Sequence, residues 1–201
     1  MSSEAEPMTI EPLPANPEWT ASWSAAVHLY RHLVTGGVPG EVSTSLLLAP
    51  GEATYSDLTL GYARFYGMDV TYQQSGAYFR GGLLFVAAGL AANAVSNNIA
   101  KQRAENQAAP QWREHCAARV VVTNYCVMCF VHGRWLRFAY SNVVDFNADM
   151  LNGVCYLIFD GAEPLQLAGL QVPWLVVLLS SFLYGPKRLS ALPFLETIAR
   201  A

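Results

Sequence analysis

Charged side chains are scarce in this sequence. Asp, Glu, Lys and Arg together make up 13% of its 201 residues, where a typical globular domain has about a quarter. The chain contains two lysines, Lys101 and Lys187, and its net charge is −3. Nucleic-acid binding requires several clustered cations that neutralise phosphates, so this composition argues against it. A surface so poor in charge instead predicts that part of it is covered by a partner subunit or by a membrane.

Long apolar runs and a secretion signal are also missing. The apolar run at 172–184 covers about 13 residues, or roughly 20 Å as a helix, against about 30 Å of bilayer hydrocarbon. Residues 1–17 contain four prolines and three glutamates, which is typical of a disordered tail and not of a signal peptide. We therefore expect a protein of the cytoplasm or of the inner face of the membrane.

Cysteine and histidine are few, four of each, and their spacing does not favour a metal site. Cys126 and Cys129 have the spacing of a zinc knuckle, but in a strand residues three apart point to opposite faces. His28 and His32 lie one helical turn apart without a third ligand nearby, and zinc needs three or four. We expect no metal and no other cofactor, and free cysteines that are buried.

Residues for nucleophilic catalysis are equally sparse. Cys116 next to His115 and Glu114 is the only local cluster, and adjacency in sequence does not bring side chains into contact. We therefore predict that the chain is not an enzyme. The alternative is a hydrolase or transferase whose site is assembled from distant residues, and a concave pocket with convergent titratable groups would distinguish the two.

Three turn dipeptides divide the second half of the chain into strand-sized pieces. They are His132-Gly133, Asn152-Gly153 and Asp160-Gly161, and each tolerates the positive φ of a hairpin turn. In the strand that follows the first turn, Trp135 and Arg137 fall on the face opposite Leu136 and Phe138. Connections this short permit only antiparallel neighbours. The predicted strands are 119–131, 134–140, 143–146 and 154–160, with a short fifth at 164–167.

A helix is predicted to follow this sheet, at 172–184. Pro173 lies in its first turn, and Gly185 and Pro186 follow its last apolar residue, as expected at helix ends. Its apolar stripe is wide enough to plug the open end of a curved sheet. We expect Trp174 to be buried there, and Trp174→Ala to destabilise the protein by about 3 to 5 kcal/mol.

The first half of the chain is predicted to contain both helices and strands. Apolar residues at helical spacing indicate an N-terminal helix over 18–36, which Thr20 or Ser22 would begin. Three segments favour strands of a first sheet within 43–75. A long inserted helix follows within 81–115, and 186–201 is expected to be a C-terminal tail. The segments expected as strands are 43–48, 53–66 and 68–74.

The inserted helix carries the candidate contact residues for a partner or a membrane. Its apolar face begins with Leu83, Leu84, Phe85 and Leu90 and is more hydrophobic than one helix on a small domain requires. Because few cations flank this segment, membrane binding would depend on apolar insertion. We expect an oligomer that forms without detergent and, at most, weak liposome binding that does not depend on salt.

The second half resembles a pleckstrin-homology-like (PH-like) or GRAM-type domain. The resemblance covers roughly 44–185, is strongest from 119 onward, and is to uncharacterised bacterial, mainly actinobacterial, versions. Such domains commonly have Arg or Lys where this chain has Tyr125 and Cys126, so the resemblance does not carry anionic-lipid binding with it. The matching motifs are ValValValThrAsn at 120–124, Trp135, TyrSerAsnValVal at 140–144, LeuIlePheAspGly at 157–161 and LeuAlaGly at 167–169.

The resemblance implies an α+β fold. It would be a PH-like antiparallel barrel of two small sheets over 43–185, with a C-terminal capping helix, an N-terminal helix and a long inserted helix. By the same resemblance the chain would be a non-enzymatic interaction module that binds a protein partner, itself included, or a peripheral membrane surface.

Overall fold

A computed structural model of the chain describes residues 16–67 and 109–201. Of the tail expected at 1–17, residues 1–15 lie outside these ranges, and residues 16 and 17 begin the first helix. The strand expected at 68–74 and the inserted helix as far as residue 108 also lie outside them, with the contact residues Leu83, Leu84, Phe85 and Leu90. Three short 3₁₀ turns lie at Tyr140–Asn142, Pro186–Ala191 and Pro193–Leu195. The helices and strands are α1 Pro17–Val34, β1 Thr54–Tyr66, β2 Gln111–Thr123, β3 Cys126–Val131, β4 Arg134–Ala139, β5 Val143–Asp149, β6 Val154–Phe159, β7 Ala162–Ala168, α2 Val172–Tyr184 and α3 Glu196–Arg200.

The N-terminal helix α1 confirms the helix predicted over 18–36, but it begins earlier than expected. Asn16 is its N-cap, and the Asn16 side chain accepts a hydrogen bond of 2.9 Å from the Glu18 N–H. Pro17 occupies the first helical position, where a missing N–H costs nothing. Thr20 and Ser22 therefore lie inside the helix. Its buried residues recur at helical spacing: Ser22, Ala26, Val27, Tyr30 and Leu33.

The strands form one seven-stranded antiparallel sheet in the order β4-β3-β2-β1-β7-β6-β5. The expectation of two separate small sheets is therefore wrong. The reason is that β1 has β2 on one side and β7 on the other, which joins the first four strands to the last three. The predicted strand at 43–48 is also wrong, because that segment is loop leading into β1.

The strand predicted over 119–131 is two strands, because the chain turns at Asn124 and Tyr125. The Thr123 hydroxyl accepts hydrogen bonds from the N–H groups of Tyr125 and Cys126, both at 3.1 Å. A Thr side chain that bonds the backbone in this way stabilises a turn and competes with strand pairing. The run of β-branched residues before Thr123 concealed this turn in the sequence.

The hairpin turns predicted at His132-Gly133, Asn152-Gly153 and Asp160-Gly161 are confirmed. His132 and Gly133 both have positive φ, 49° and 79°, which is the type I′ turn that matches the twist of the flanking strands. At Gly153 a Cβ would lie 2.9 Å from the carbonyl oxygen of Gly169, so the position requires glycine for space as well as for its φ of 63°.

The described residues fall into two compact units, 16–62 with 116–201, and 63–67 with 109–115. In the smaller unit the rings of Phe65 and Trp112 are 5.3 Å apart, and the Tyr66 hydroxyl donates to Glu114 at 2.9 Å. Residues 111–115, expected within the inserted helix, belong instead to strand β2. The apolar helical pattern read from the sequence ends at Pro110, and the residues after it are extended in the strand that neighbours β1.

The larger unit has its core between the sheet and the C-terminal helices. Helix α2 confirms the predicted helix 172–184, and Leu175, Leu178 and Leu179 on it are fully buried. Trp174, expected to be the buried plug, is only half-buried at the start of α2. Within the described ranges, no helix is both long and apolar enough to cross a membrane.

The segment 186–201, expected to be a tail, is ordered structure packed on the helices. Its 3₁₀ turns and α3 bury Leu189, Leu195 and Ile198, each at most 1% exposed. Helix α3 and the first of these turns contact α1. The apolar residues of this segment are too widely spaced to form a recognisable pattern in sequence, which explains the difference.

Candidate binding surface on the outer face of the sheet

Strands β2, β3 and β4 have an inner face in the core and an outer face that carries polar and aromatic residues. Successive strand residues point to opposite faces, and the register pairs Arg119 with Phe130, and Phe130 with Trp135. These three residues therefore share the outer face, together with Arg137. The inner face contributes Val120, Val122, Val127, Cys129, Val131 and Phe138 to the hydrophobic core.

A row of interacting side chains crosses the outer face from β1 to β4. We call Asp57, Arg119, Phe130 and Trp135 the outer row. The rings of Phe130 and Trp135 are 5.2 Å apart, and the Arg119 guanidinium lies 5.6 Å from the Trp135 ring. Aromatic pairs and cation–π contacts of this kind each contribute about 0.5 to 1.5 kcal/mol. Phe130 is nevertheless 41% exposed.

Asp57 fixes the orientation of the Arg119 guanidinium. Arg119 donates through Nη2 to Asp57 Oδ2 at 2.6 Å and through Nε to Oδ1 at 2.9 Å. The hydrogen bonds from Arg119 hold the pKa of Asp57 below its usual value. A two-point contact of this kind restricts the planar guanidinium far more than a single bond would. The cation is therefore held beside the indole of Trp135.

A buried carboxylate, Glu52, lies next to the outer row. Its Oε1 accepts hydrogen bonds from Arg137 Nη2 and Thr123 Oγ1, each at 2.7 Å, and its Oε2 accepts from the Ala49 N–H at 3.0 Å. The Glu52 side chain has no exposed surface, whereas that of Arg137 is 44% exposed. Burial works to raise the pKa of Glu52, but the hydrogen bonds from Arg137, Ala49 and Thr123 outweigh it and lower the pKa to about 2. The carboxylate is thus ionised and tied to a cation that reaches the surface.

The other titratable groups around Glu52 are unsuited to nucleophilic chemistry. Burial raises the pKa of the Cys126 thiol, which lies 3.5 Å from Glu52 Oε1. Burial also raises the pKa of Tyr140, whose hydroxyl donates to the carbonyl oxygen of Thr123 at 2.9 Å. The fully buried Cys155 has a pKa of about 12. A protonated, enclosed thiol is a poor nucleophile because the thiolate is the reactive form.

The structure separates the candidate metal and catalytic residues predicted from the sequence. Cys126 lies against Glu52 and Cys129 lies in the core, so the two point to opposite faces as predicted. His28 and His32 are both exposed on α1, and His32 Nε2 is 3.0 Å from the carbonyl oxygen of Val38. Over 16–67 and 109–201, no group of three or more His, Cys, Asp or Glu side chains is arranged to hold a metal ion.

The four cysteines are free, and all but Cys116 are buried, as expected except at that position. Cys116 is partly exposed. The His115 ring lies 3.2 Å from the carbonyl oxygen of Trp112.

Sequence reasoning found half of this surface. It predicted that Trp135 and Arg137 share a face, and the register confirms it. It missed Glu52 and the pairing of Asp57 with Arg119, because residues 85 and 62 positions apart meet only in the folded chain. The one local hint in the sequence was Arg119, a charged residue directly before three consecutive valines.

Two shallow cavities lie elsewhere in the larger unit. One, of about 450 Å³, lies beside β5 and contains Asp149 and Glu196; the other, of about 510 Å³, lies between α1 and α2 and contains Ser22 and Trp174. Both have volumes in the range of small-molecule sites. The carboxylates of the first are engaged by neighbours, Asp149 by Asn152 and Glu196 by Arg200. The second cavity is lined by a single titratable side chain, Glu18. Neither cavity therefore offers a pair of unengaged titratable groups of the kind that an enzyme would use.

Comparisons of the chain with protein-family models, with curated proteins and with solved structures found no match.

Proposed function

We propose that this chain is a non-enzymatic interaction module of PH-like fold that binds a protein partner through the outer face of β1–β4. The PH-like assignment draws support from the strand order, in which two meanders meet at β1 and β7, and from helix α2, which follows the last strand and packs into the core. It also agrees with the sequence motifs of the second half. The outer face supplies the binding surface.

The observation that carries the proposal is the composition of the outer row and its neighbours. Protein interfaces are enriched in Trp, Phe and Arg, and these residues dominate binding energy when they cluster. Phe130, Trp135, Arg119 and Arg137 form such a cluster on a surface that is otherwise poor in charge. The two arginines are already held in place by Asp57 and Glu52, which reduces the entropy lost on binding.

The buried thiols and the enclosed carboxylate beside the outer face support a binding role over an enzymatic one. In the part of the chain that the structure describes, burial keeps the Cys126 and Cys155 thiols protonated, and the ionised Glu52 is fully occupied by Arg137, Thr123 and Ala49. A general base must be able to reach a substrate proton. Glu52 has no exposed surface from which to do so.

The electrostatics favour a protein partner over a membrane. Each basic residue near an anionic bilayer contributes about 1 kcal/mol. On the outer face, Arg119 is paired with Asp57 and Arg137 with Glu52, so this face lacks the several unpaired cations that draw a protein to an anionic bilayer. Half-exposed aromatic rings beside paired guanidiniums are better suited to contact with a folded protein surface of complementary shape than to contact with a bilayer.

The test is a quantitative capture experiment from native cells. The full chain is used as bait in wild-type form and as Phe130→Ser, with Leu151→Ser as the control because it removes a 73% exposed leucine from the β5–β6 turn. We expect one or more proteins that wild type and Leu151→Ser retain equally and Phe130→Ser loses. Those proteins are then purified and their binding is measured directly. Equal retention by all three baits would refute the proposed function.

A further inference from the structure

Among the strands at 16–67 and 109–201, β4 is one edge of the sheet, with β3 as its only neighbour. Val131 and Arg134 flank the two-residue His132-Gly133 turn and face each other across β3 and β4. In a two-residue hairpin, the residues that flank the turn exchange backbone hydrogen bonds. Pairs in an antiparallel ladder alternate between bonded and non-bonded. The backbone groups of Trp135 and Arg137 are therefore directed away from β3, toward the open edge.

The same two residues place their side chains on the outer face. The open backbone groups thus lie directly beside the indole of Trp135 and the guanidinium of Arg137, and a strand added at this edge would meet both. An added strand gains affinity from main-chain hydrogen bonds and specificity from every second side chain. Phe130 on the neighbouring strand extends the apolar surface under that strand.

The charges along this edge select the sign of the partner. Arg134 is exposed and, among the described residues, has no ion-pair partner. Arg137 gives one nitrogen to Glu52, and its five N–H donors leave others for a ligand at its exposed end. Because the Glu52 carboxylate is enclosed, an approaching chain meets the cations first. Complementarity therefore favours carboxylates.

We propose that the β4 edge binds an extended acidic segment of a partner protein as an added strand. One of its carboxylates would face Arg137 on the outer face and another would face Arg134 on the opposite side of the same edge, and an apolar residue between them would rest on Trp135. This inference rests on the proposed function and names the chemistry of its partner.

The test begins with a displayed library of random heptapeptides selected against the full chain. We expect enrichment of peptides in which two acidic residues lie three positions apart with an apolar residue between them. Affinities of the most enriched peptide are then measured by fluorescence anisotropy. Its counterpart with every acid replaced by lysine should bind at least about tenfold more weakly, as expected when charges of equal sign meet at an interface.

Two matched variants separate the contribution of the backbone from that of the side chains. Trp135→Ala and Trp135→Pro both lack the indole, but only Trp135→Pro lacks the N–H at the open edge. Proline is tolerated on an edge strand where that N–H faces away from the sheet. We expect the Pro variant to bind the peptide about tenfold more weakly than the Ala variant, the order of effect of losing a hydrogen bond at an interface.

Arg134→Glu should weaken peptide binding by about tenfold or more, and Arg134→Lys by less. Neither change touches an internal contact, so circular dichroism and thermal melting should match wild type for both. Amide hydrogen exchange gives an independent reading. The N–H groups of Trp135 and Arg137 should become protected when the selected peptide binds.

Several outcomes would overturn the inference. Selected peptides without acidic residues, or equal affinity of Trp135→Pro and Trp135→Ala, would exclude an acidic added strand. A wild-type chain that sedimentation shows as an oligomer, and that Trp135→Pro converts to monomer, would assign the edge to a second copy. Binding to phosphatidylserine vesicles that Arg134→Glu abolishes would assign it to a membrane. In each case the capture experiment with Phe130→Ser still decides separately whether the outer face binds protein.

Discussion

The two faces of strands β2–β4 differ in what holds them together. The inner face consists of aliphatic and aromatic side chains that pack on α2 and on the C-terminal segment, and most of them are fully buried. The outer face is organised by ion pairs, Arg119 with Asp57 and Arg137 with Glu52, and leaves aromatic rings half-exposed.

This difference indicates that the inner face stabilises the fold and that the outer face is available for binding. Burial of apolar area contributes about 25 cal/mol per Å², so the inner face accounts for most of the folding energy. Exposed ion pairs contribute at most about 1 kcal/mol. Substitutions of the exposed residues of the outer face should therefore be tolerated by the fold, whereas Glu52, Val121, Thr123 and Cys126 are buried on that side and should not be substituted without loss of stability.

The largest effect is expected on the inner face. Leu178→Ala should lower the free energy of unfolding by about 4 kcal/mol, because Leu178 is fully buried in the core and truncation leaves a cavity. Trp174→Ala, at a half-buried position, should cost about 2 kcal/mol or less, below the range expected from the sequence. Urea denaturation of both variants checks this order. A larger loss for Trp174→Ala would contradict the burial of these two residues.

Glu52 should make stability depend on pH. Its pKa is lowered from 4.5 to about 2 in the folded protein, so its contribution is complete above pH 4.5 and is lost as the pH falls from about 4.5 to 2. The loss is up to about 3 kcal/mol. Chemical denaturation at several pH values measures it.

The control for this pH dependence is Glu52→Gln, which lacks the titrating group. It should be less stable than wild type at neutral pH, and its free energy of unfolding should change less with pH below pH 4.5. An equally steep acid loss in Glu52→Gln would mean that other carboxylates are responsible.

A smaller effect is expected from the ion pair of the outer row. Arg119→Ala and Asp57→Asn should each cost less than about 1 kcal/mol, because both side chains are partly exposed and solvent screens their attraction. The double variant should show coupling of the same small size. If either single change cost about 3 kcal/mol, the outer row would be part of the stabilising core.

The four cysteines should differ in their reactivity toward a thiol reagent in the native protein. Cys116 is partly exposed, whereas Cys126, Cys129 and Cys155 are buried. A thiol-specific reagent should therefore modify one cysteine in the native protein and all four after denaturation. Rapid native labelling of Cys126 would show that the loop carrying Glu52 opens readily.

The sequence predicted the elements that depend on local signals. The turn dipeptides around Gly133, Gly153 and Gly161 located the hairpins, and Pro173 with Gly185 bounded α2, because each of these residues acts on its own stretch of backbone. Thr123 was missed as a turn residue because valines precede it. The single sheet could not be foreseen, since the pairing of β1 with both β2 and β7 depends on contacts between distant parts of the chain.

The candidate site depended even more on long-range contacts. Trp135 and Arg137 were correctly placed on one face by the two-residue period of a strand. The carboxylates that orient the two arginines, Asp57 for Arg119 and Glu52 for Arg137, come from the first half of the chain. Only the folded structure shows that a buried carboxylate and an exposed guanidinium meet there.

The most direct test of this account measures stability and binding on the same Phe130→Ser protein. Phe130 is on the outer face and 41% exposed, so its loss should lower the free energy of unfolding by only about 1 kcal/mol while binding of the captured partner is abolished. A loss of about 3 kcal/mol or more with unchanged binding would show that the outer face serves the fold, and would contradict the division between the two faces.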